Sequence, residues 1–123
     1  GAVQRDIHAC TDITGFGLLG HLGEMLQENP GLSVELDGNA IPAYSGALEL
    51  IESGITSSLA PSNRAAWRYL EGQVKLQNRI CTALMELIVD PQTCGPLLLS
   101  CKDRAAEYLT TNGPWIKIGK TRR

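Results

Sequence analysis

The chain predicts an α+β fold, a mixed β-sheet packed with helices in a sandwich. Three observations carry that expectation. Stretches with helical apolar spacing interleave with stretches of strict alternation, but not as a regular strand–helix–strand repeat. Apolar residues make up 43% of the chain and charged residues 20%, an ordinary globular balance. At 123 residues there is enough chain for one core and too little for two, so residues 1–123 are expected to form one domain.

The elements follow in order. Leu18, Leu19, Leu22, Met25 and Leu26 fall on one stripe and predict a helix over 17–28, stopped by Asn29-Pro30-Gly31. Leu32, Val34 and Leu36 alternate with Ser33, Glu35 and Asp37, a half-buried strand closed by the Asp37-Gly38-Asn39 turn. Tyr44, Ala47, Leu48 and Ile51 mark a second helix ending at Gly54. Residues 55–63, Ser-rich with Pro61, read as a loop, after which Ser62 or Asn63 caps a short helix carrying Trp67 and Leu70. Ile80, Cys81, Leu84, Leu87 and Ile88 predict another helix, which must end before Pro91. Leu97-Leu98-Leu99 reads as the start of a buried strand. Asp103 then caps a helix running to about Leu109, with a stop at Asn112-Gly113-Pro114. Trp115 to Ile118 alternates as a final strand.

The first helix places Gly17, Gly20 and Gly23 roughly opposite its leucine stripe, beside Glu24 and Gln27. Each glycine inside a helix costs about 0.8–1 kcal/mol relative to alanine. Either they are helix-start geometry and tolerated defects, or another backbone approaches that face. The second reading implies a neighbour that the chain lacks.

Composition also excludes partners. A net charge of −2 gives no reason to expect nucleic acid. The basic end, Lys117, Lys120, Arg122 and Arg123, reads as a solvated tail. No apolar run is long enough to span a bilayer, so no membrane partner is expected. Cys10, Cys81, Cys94 and Cys101 form no C-x-x-C pair, and His8 and His21 complete no familiar zinc spacing. Reduced thiols and a cytoplasmic location are the expectation. The chain opens Gly-Ala-Val without an initiator Met, which suggests a piece of something longer.

The strongest chemical signal is Thr11-Asp12-Ile13-Thr14-Gly15-Phe16-Gly17, directly before the first helix. A carboxylate there can hold a hard cation such as Mg²⁺, and backbone N–H groups at a helix start can meet phosphate oxygens. The plainer role for Asp12 is a cap on the turn. Thr11 and Thr14 can offer hydroxyls, and Gly15 and Gly17 permit close approach, but the segment is neither a Walker loop nor a dinucleotide fingerprint. His21 reads as a packed histidine. The second signal is Asp90-Pro91-Gln92-Thr93-Cys94-Gly95-Pro96, a helix stop, polar turn and strand entry. Neither histidine is near Cys94 in sequence to activate it, so no catalytic residue is assigned to this chain.

Together the two segments resemble one family. His8-Ala9-Cys10-Thr11-Asp12-Ile13-Thr14-Gly15-Phe16-Gly17-Leu18-Leu19-Gly20-His21 looks like the signature of the selenophosphate synthetases (selenide, water dikinases). Asp90-Pro91-Gln92-Thr93 is similar to that family's Asp-Pro-Gln-Thr-Ser-Gly-Gly segment, in the same order along the chain. The resemblance spans essentially all of the sequence and corresponds to the C-terminal, AIR-synthetase-related half of a two-domain enzyme. It implies a reaction that converts selenide, ATP and water into selenophosphate, AMP and phosphate. It implies that Asp12 is the one aspartate this half contributes to a magnesium cluster at the ATP phosphates. Thr11, Thr14, Gly15 and Gly17 follow as a wall of the phosphate site. An N-terminal ATP-binding domain of the same protein and a homodimer are the implied partners. The isolated chain is expected to lack dikinase activity, because one aspartate cannot hold the cluster. Two departures stand out: Ser-Gly-Gly reads Cys94-Gly95-Pro96, whose proline has no N–H, and the family's Ile-Gly-Glu reads Ile118-Gly119-Lys120. Another ATP enzyme of the AIR-synthetase superfamily, or a regulatory or interaction domain that kept the fold, are the alternatives. The Asp-Pro-Gln-Thr run argues against the first and Pro96 suits the second.

Overall fold

A computed structural model of the chain describes residues 3–27, 29–65, 67–70 and 72–123. A short 3₁₀ turn, Gln4–Asp6, leads into β1 (Ile7–Asp12) and α1 (Gly17–Leu26). Then come β2 (Ser33–Asp37), three short helices α2 (Ala47–Glu52), α3 (Ala60–Arg64) and α4 (Trp67–Leu70), and β3 (Val74–Gln77). The chain closes with α5 (Thr82–Val89), β4 (Leu97–Cys101), α6 (Asp103–Asn112) and β5 (Gly119–Arg122). The α+β expectation holds.

The strands form two sheets. In the larger, β2 is central, parallel to β3 and antiparallel to β5. A parallel pair needs a long crossover, and here α2, α3 and α4 supply it. Along β2, Val34 and Leu36 turn inward while Ser33, Glu35 and Asp37 stay half-buried on the other face. The inward residues meet Val74 of β3, Leu18, Leu19, Leu22 and Leu26 of α1, and Leu84, Ile88 and Val89 of α5 in one core. The smaller sheet is the antiparallel pair β1–β4, with Cys10 opposite Leu99, Asp12 opposite Leu97 and an irregularity between Ile7 and Ala9.

Several sequence expectations move. The predicted loop over 55–63 contains α3, because Pro61 sits in the first turn of a helix where its missing N–H costs nothing. Ser62 and Asn63 lie inside that helix and not at the start of α4. Ile80 and Cys81 are exposed and precede α5. Asp103 opens α6, but Lys102 is its N-cap and no side chain bonds the helix end. The final strand lies at Gly119–Arg122, not 115–118, since its position is set by the ladder with β2 and not by its own apolar pattern. Leu97 is 55% exposed and Leu98 and Leu99 are half-buried, so the β4 entry is not a core strand. β1 and β3 carried weak signals, four to six residues of period-two alternation, and were not anticipated.

The α1 glycines have neighbours within the chain. A side chain at Gly17, where φ is +72°, would strike the backbone of Val89 and Asp90 at 2.8–3.0 Å. One at Gly23 would strike Leu70 at 2.9 Å, and at Gly20 the Cβ of Phe16 at 2.6 Å. At Gly17 the approaching backbone is that of Val89 and Asp90 at the end of α5, whereas Gly20 and Gly23 face side chains.

Candidate functional site: a two-segment corner at the end of β1

Both motif segments meet at one place. The Ile13 amide donates to the Pro96 carbonyl at 2.9 Å, and the Gln92 amide donates to the Thr14 carbonyl at 3.0 Å. Gly17 donates to the same Thr14 carbonyl at 3.0 Å, closing the turn into α1. Gly95 lies so close to the Ile13 carbonyl that no side chain fits there. Pro96 takes part through its carbonyl, so its missing N–H is not required by these contacts.

Asp12 ends β1 on the exposed side of the ribbon, five residues before the first residue of α1. No hydrogen bond or ion pair engages its carboxylate among the described residues. It does not cap α1, whose N-cap is Phe16 with no side-chain bond. Such an oxygen donor fits one coordination position of a hard cation. Among the described residues no group of three His, Cys, Asp or Glu gathers to hold a metal.

The neighbouring residues divide by role. The Thr11 hydroxyl donates to its neighbour's carbonyl, Oγ1 to Asp12 O at 3.3 Å. Thr14 Oγ1 lies 3.0 Å from Nε2 of His21, which is 6% exposed beneath the corner. His21 Nδ1 approaches Glu24 at 3.4 Å without a hydrogen bond's alignment, and the ring packs against Phe16 at 5.5 Å. Gly15 is exposed with nothing where a side chain would point, whereas buried Gly17 is occupied by packing on α5. Cys94 is exposed.

The second segment adds a perturbed carboxyl. Burial pushes Asp90 above the usual carboxylate range, the bond from Gln92 Nε2 to Oδ2 at 3.1 Å offsets part of that, and the nearby Glu86 charge adds to the rise. A further contact escaped the sequence reading altogether. Asn63 of α3 donates through Nδ2 to Gly15 O at 2.9 Å and to Val89 O at 3.0 Å. Nothing local distinguishes it from a capping residue, which is how it was read. A shallow cleft at Asn29, Pro30, Gly31, Leu32 and Arg123 shares no residue with the corner.

Comparison with known proteins identifies the family. The model of the family described as AIR synthase related protein, C-terminal domain, matches residues 1–120. The selenide, water dikinase of Treponema denticola is 42% identical over 108 residues, covering 86% of this chain and 29% of that protein. That of Caldanaerobacter subterraneus subsp. tengcongensis is 41% identical over 103 residues, covering 84% and 28%. That of Agathobacter rectalis is 38% identical over 120 residues, covering 94% and 34%. The chain therefore spans about a third or less of the curated relatives it matches.

Proposed function

This chain belongs to the AIR synthase related protein C-terminal domain family, and from that membership we propose that it is the C-terminal domain of a selenide, water dikinase. The complete enzyme would be a cytoplasmic homodimer that forms selenophosphate, AMP and phosphate from selenide, ATP and water. Its ATP-binding domain would lie N-terminal to this one. Relatives at 38–42% identity that carry the dikinase name support the reading.

One observation carries the site: the Asp12 carboxylate stands exposed and unengaged at the end of β1, beside the open face of Gly15. In this reading Asp12 supplies one ligand to Mg²⁺, and aspartates of the N-terminal domain supply the others. Bound Mg²⁺ contributes neutralisation of phosphate charge and orientation of phosphoryl groups for displacement. The chain's own residues act as a wall. Gly15 leaves room for phosphate oxygens, and Thr11 lines the rim. Thr14 ties the corner to α1 through His21. Gly17 holds the loop on α5 and acts only indirectly.

Asp12→Asn in the full-length protein tests this. AMP formation from ATP and selenide should fall by about a hundredfold or more. Stability should change by less than about 0.5 kcal/mol, as for an exposed residue without partners. Near-normal turnover would return Asp12 to an ordinary surface residue.

A further inference from the structure

Resting on the reading of the corner as a phosphate wall, we propose that Asn63 is a positioning residue that turns the Phe16 amide outward as a donor to phosphate oxygen. Both partners of its side chain are backbone carbonyls, which only accept, so it is the amide nitrogen that faces them and both of its hydrogens are used. Those carbonyls lie 48 and 26 residues away in sequence. One belongs to Gly15 in the first motif and the other to Val89, the last residue of α5 before Asp90. A single amide thus joins the two segments from a third element.

α3 is itself fixed on α5. Arg64 Nη2 pairs with Glu86 Oε1 at 2.5 Å, and Ala60 is buried. Asn63 is therefore held by a short helix with its own anchor and does not reach in from a free loop.

The consequence follows from the planarity of the peptide. In a trans peptide the C=O and the next residue's N–H point in opposite directions, and no peptide bond among the described residues is cis. With the Gly15 carbonyl drawn to Asn63, the Phe16 N–H points away from α3. It finds no acceptor among the described residues. Gly15 beside it has open space where a side chain would stand. An unpaired N–H next to an open glycine is suited to an anionic oxygen. The Gly17–Thr14 hydrogen bond closes the turn around the Gly15–Phe16 peptide, and the Asn63 bond to the Gly15 carbonyl adds a second hold on its orientation.

Two measurements test the proposal, both with Asn63→Asp, which at neutral pH has no donor and turns oxygens toward both carbonyls. In the full-length protein KM for ATP should rise about tenfold while the thermal midpoint stays close to wild type, since a hydrogen bond at an exposed or half-buried carbonyl is worth about that factor. In the same protein, hydrogen exchange at the Gly17 and Gln92 amides, both bonded to Thr14 O, should quicken about tenfold. Exchange at Asp37, bonded to Ile118 O in the mixed sheet, should not change. An unchanged KM overturns the positioning role, and so does acceleration at Asp37 equal to that at Gly17. If Asn63→Asp does not fold, Asn63→Ser, which keeps one hydroxyl donor, is read by the same criteria. Wild-type full-length protein that forms no AMP from ATP and selenide overturns the dikinase reading instead, and exchange at Gly17 and Gln92 then decides the role of Asn63.

Discussion

The mixed sheet with α1 and α5 and the β1–β4 ribbon are built on different physics. In the first, Leu19, Val74, Leu84, Ile88 and Val89 are fully buried, and three strands share one inward face. In the second, two strands present His8, Cys10 and Asp12 of β1 to solvent, and Leu97 of β4 is more than half exposed. A two-stranded ribbon is marginal by itself. This one is fastened at both ends by polar contacts. At one end is the hydrogen-bonded corner. At the other, buried Asp6 accepts from Arg104 Nε at 2.6 Å and Nη2 at 2.8 Å, with Lys102 Nζ at 3.5 Å. The difference teaches that stability is concentrated in one region, while the candidate site occupies the other, where a carboxylate remains exposed.

Three changes would sharpen or break that contrast. The largest effect is expected from Ile88→Ala, which empties space in the core and should cost roughly 2–5 kcal/mol in denaturant unfolding. A cost below about 1 kcal/mol would mean the core is not where stability lies.

Next is the Asp6 clamp. Its hydrogen bonds with Arg104 hold the carboxyl below its ordinary value of 3.8, outweighing the opposing effect of burial. A carboxyl depressed in the folded state stabilises fully above its unfolded pKa and loses that contribution as pH falls through the folded value. Thermal midpoints should therefore decline with acid below 3.8, and Asp6→Asn should show a shallower decline from a lower starting point. Identical acid slopes in the two proteins would remove the clamp from the account. Asp90 has the opposite sign: raised in the folded state, it favours the fold more once protonated.

The smallest effect is expected from Leu97→Ser on the open face of the ribbon, within about 0.5 kcal/mol. A loss comparable to Ile88→Ala would show that the ribbon's outer face is buried in solution.

The sequence was most legible where burial and periodicity coincide. The α1 stripe, the β2 alternation and α5 before Pro91 were placed within a residue or two, because each element's own side chains face the core. The ribbon was least legible. β1 alternates Ile7, Ala9 and Thr11 with His8, Cys10 and Asp12, too weak a contrast to mark a strand without its partner. β5 is Gly-Lys-Thr-Arg and becomes a strand only because β2 presents a free edge. The two motifs could be picked out from residue type, but neither spacing nor composition indicated that they touch. Asn63 carried no local signal at all, since its partners lie far along the chain.

By itself the chain determined its α+β class, most of its helices, the central strand and the residues of the Asp12 corner. These depend on local spacing, proline and glycine punctuation, and the chemistry of single side chains. Tertiary structure alone decided that Gly17 packs on the backbone of α5, that Gln92, Pro96 and Asn63 hold the corner, and that Asp12 is left without a partner among the described residues. Those outcomes depend on which backbone groups meet across tens of residues, and a linear pattern carries no record of such meetings.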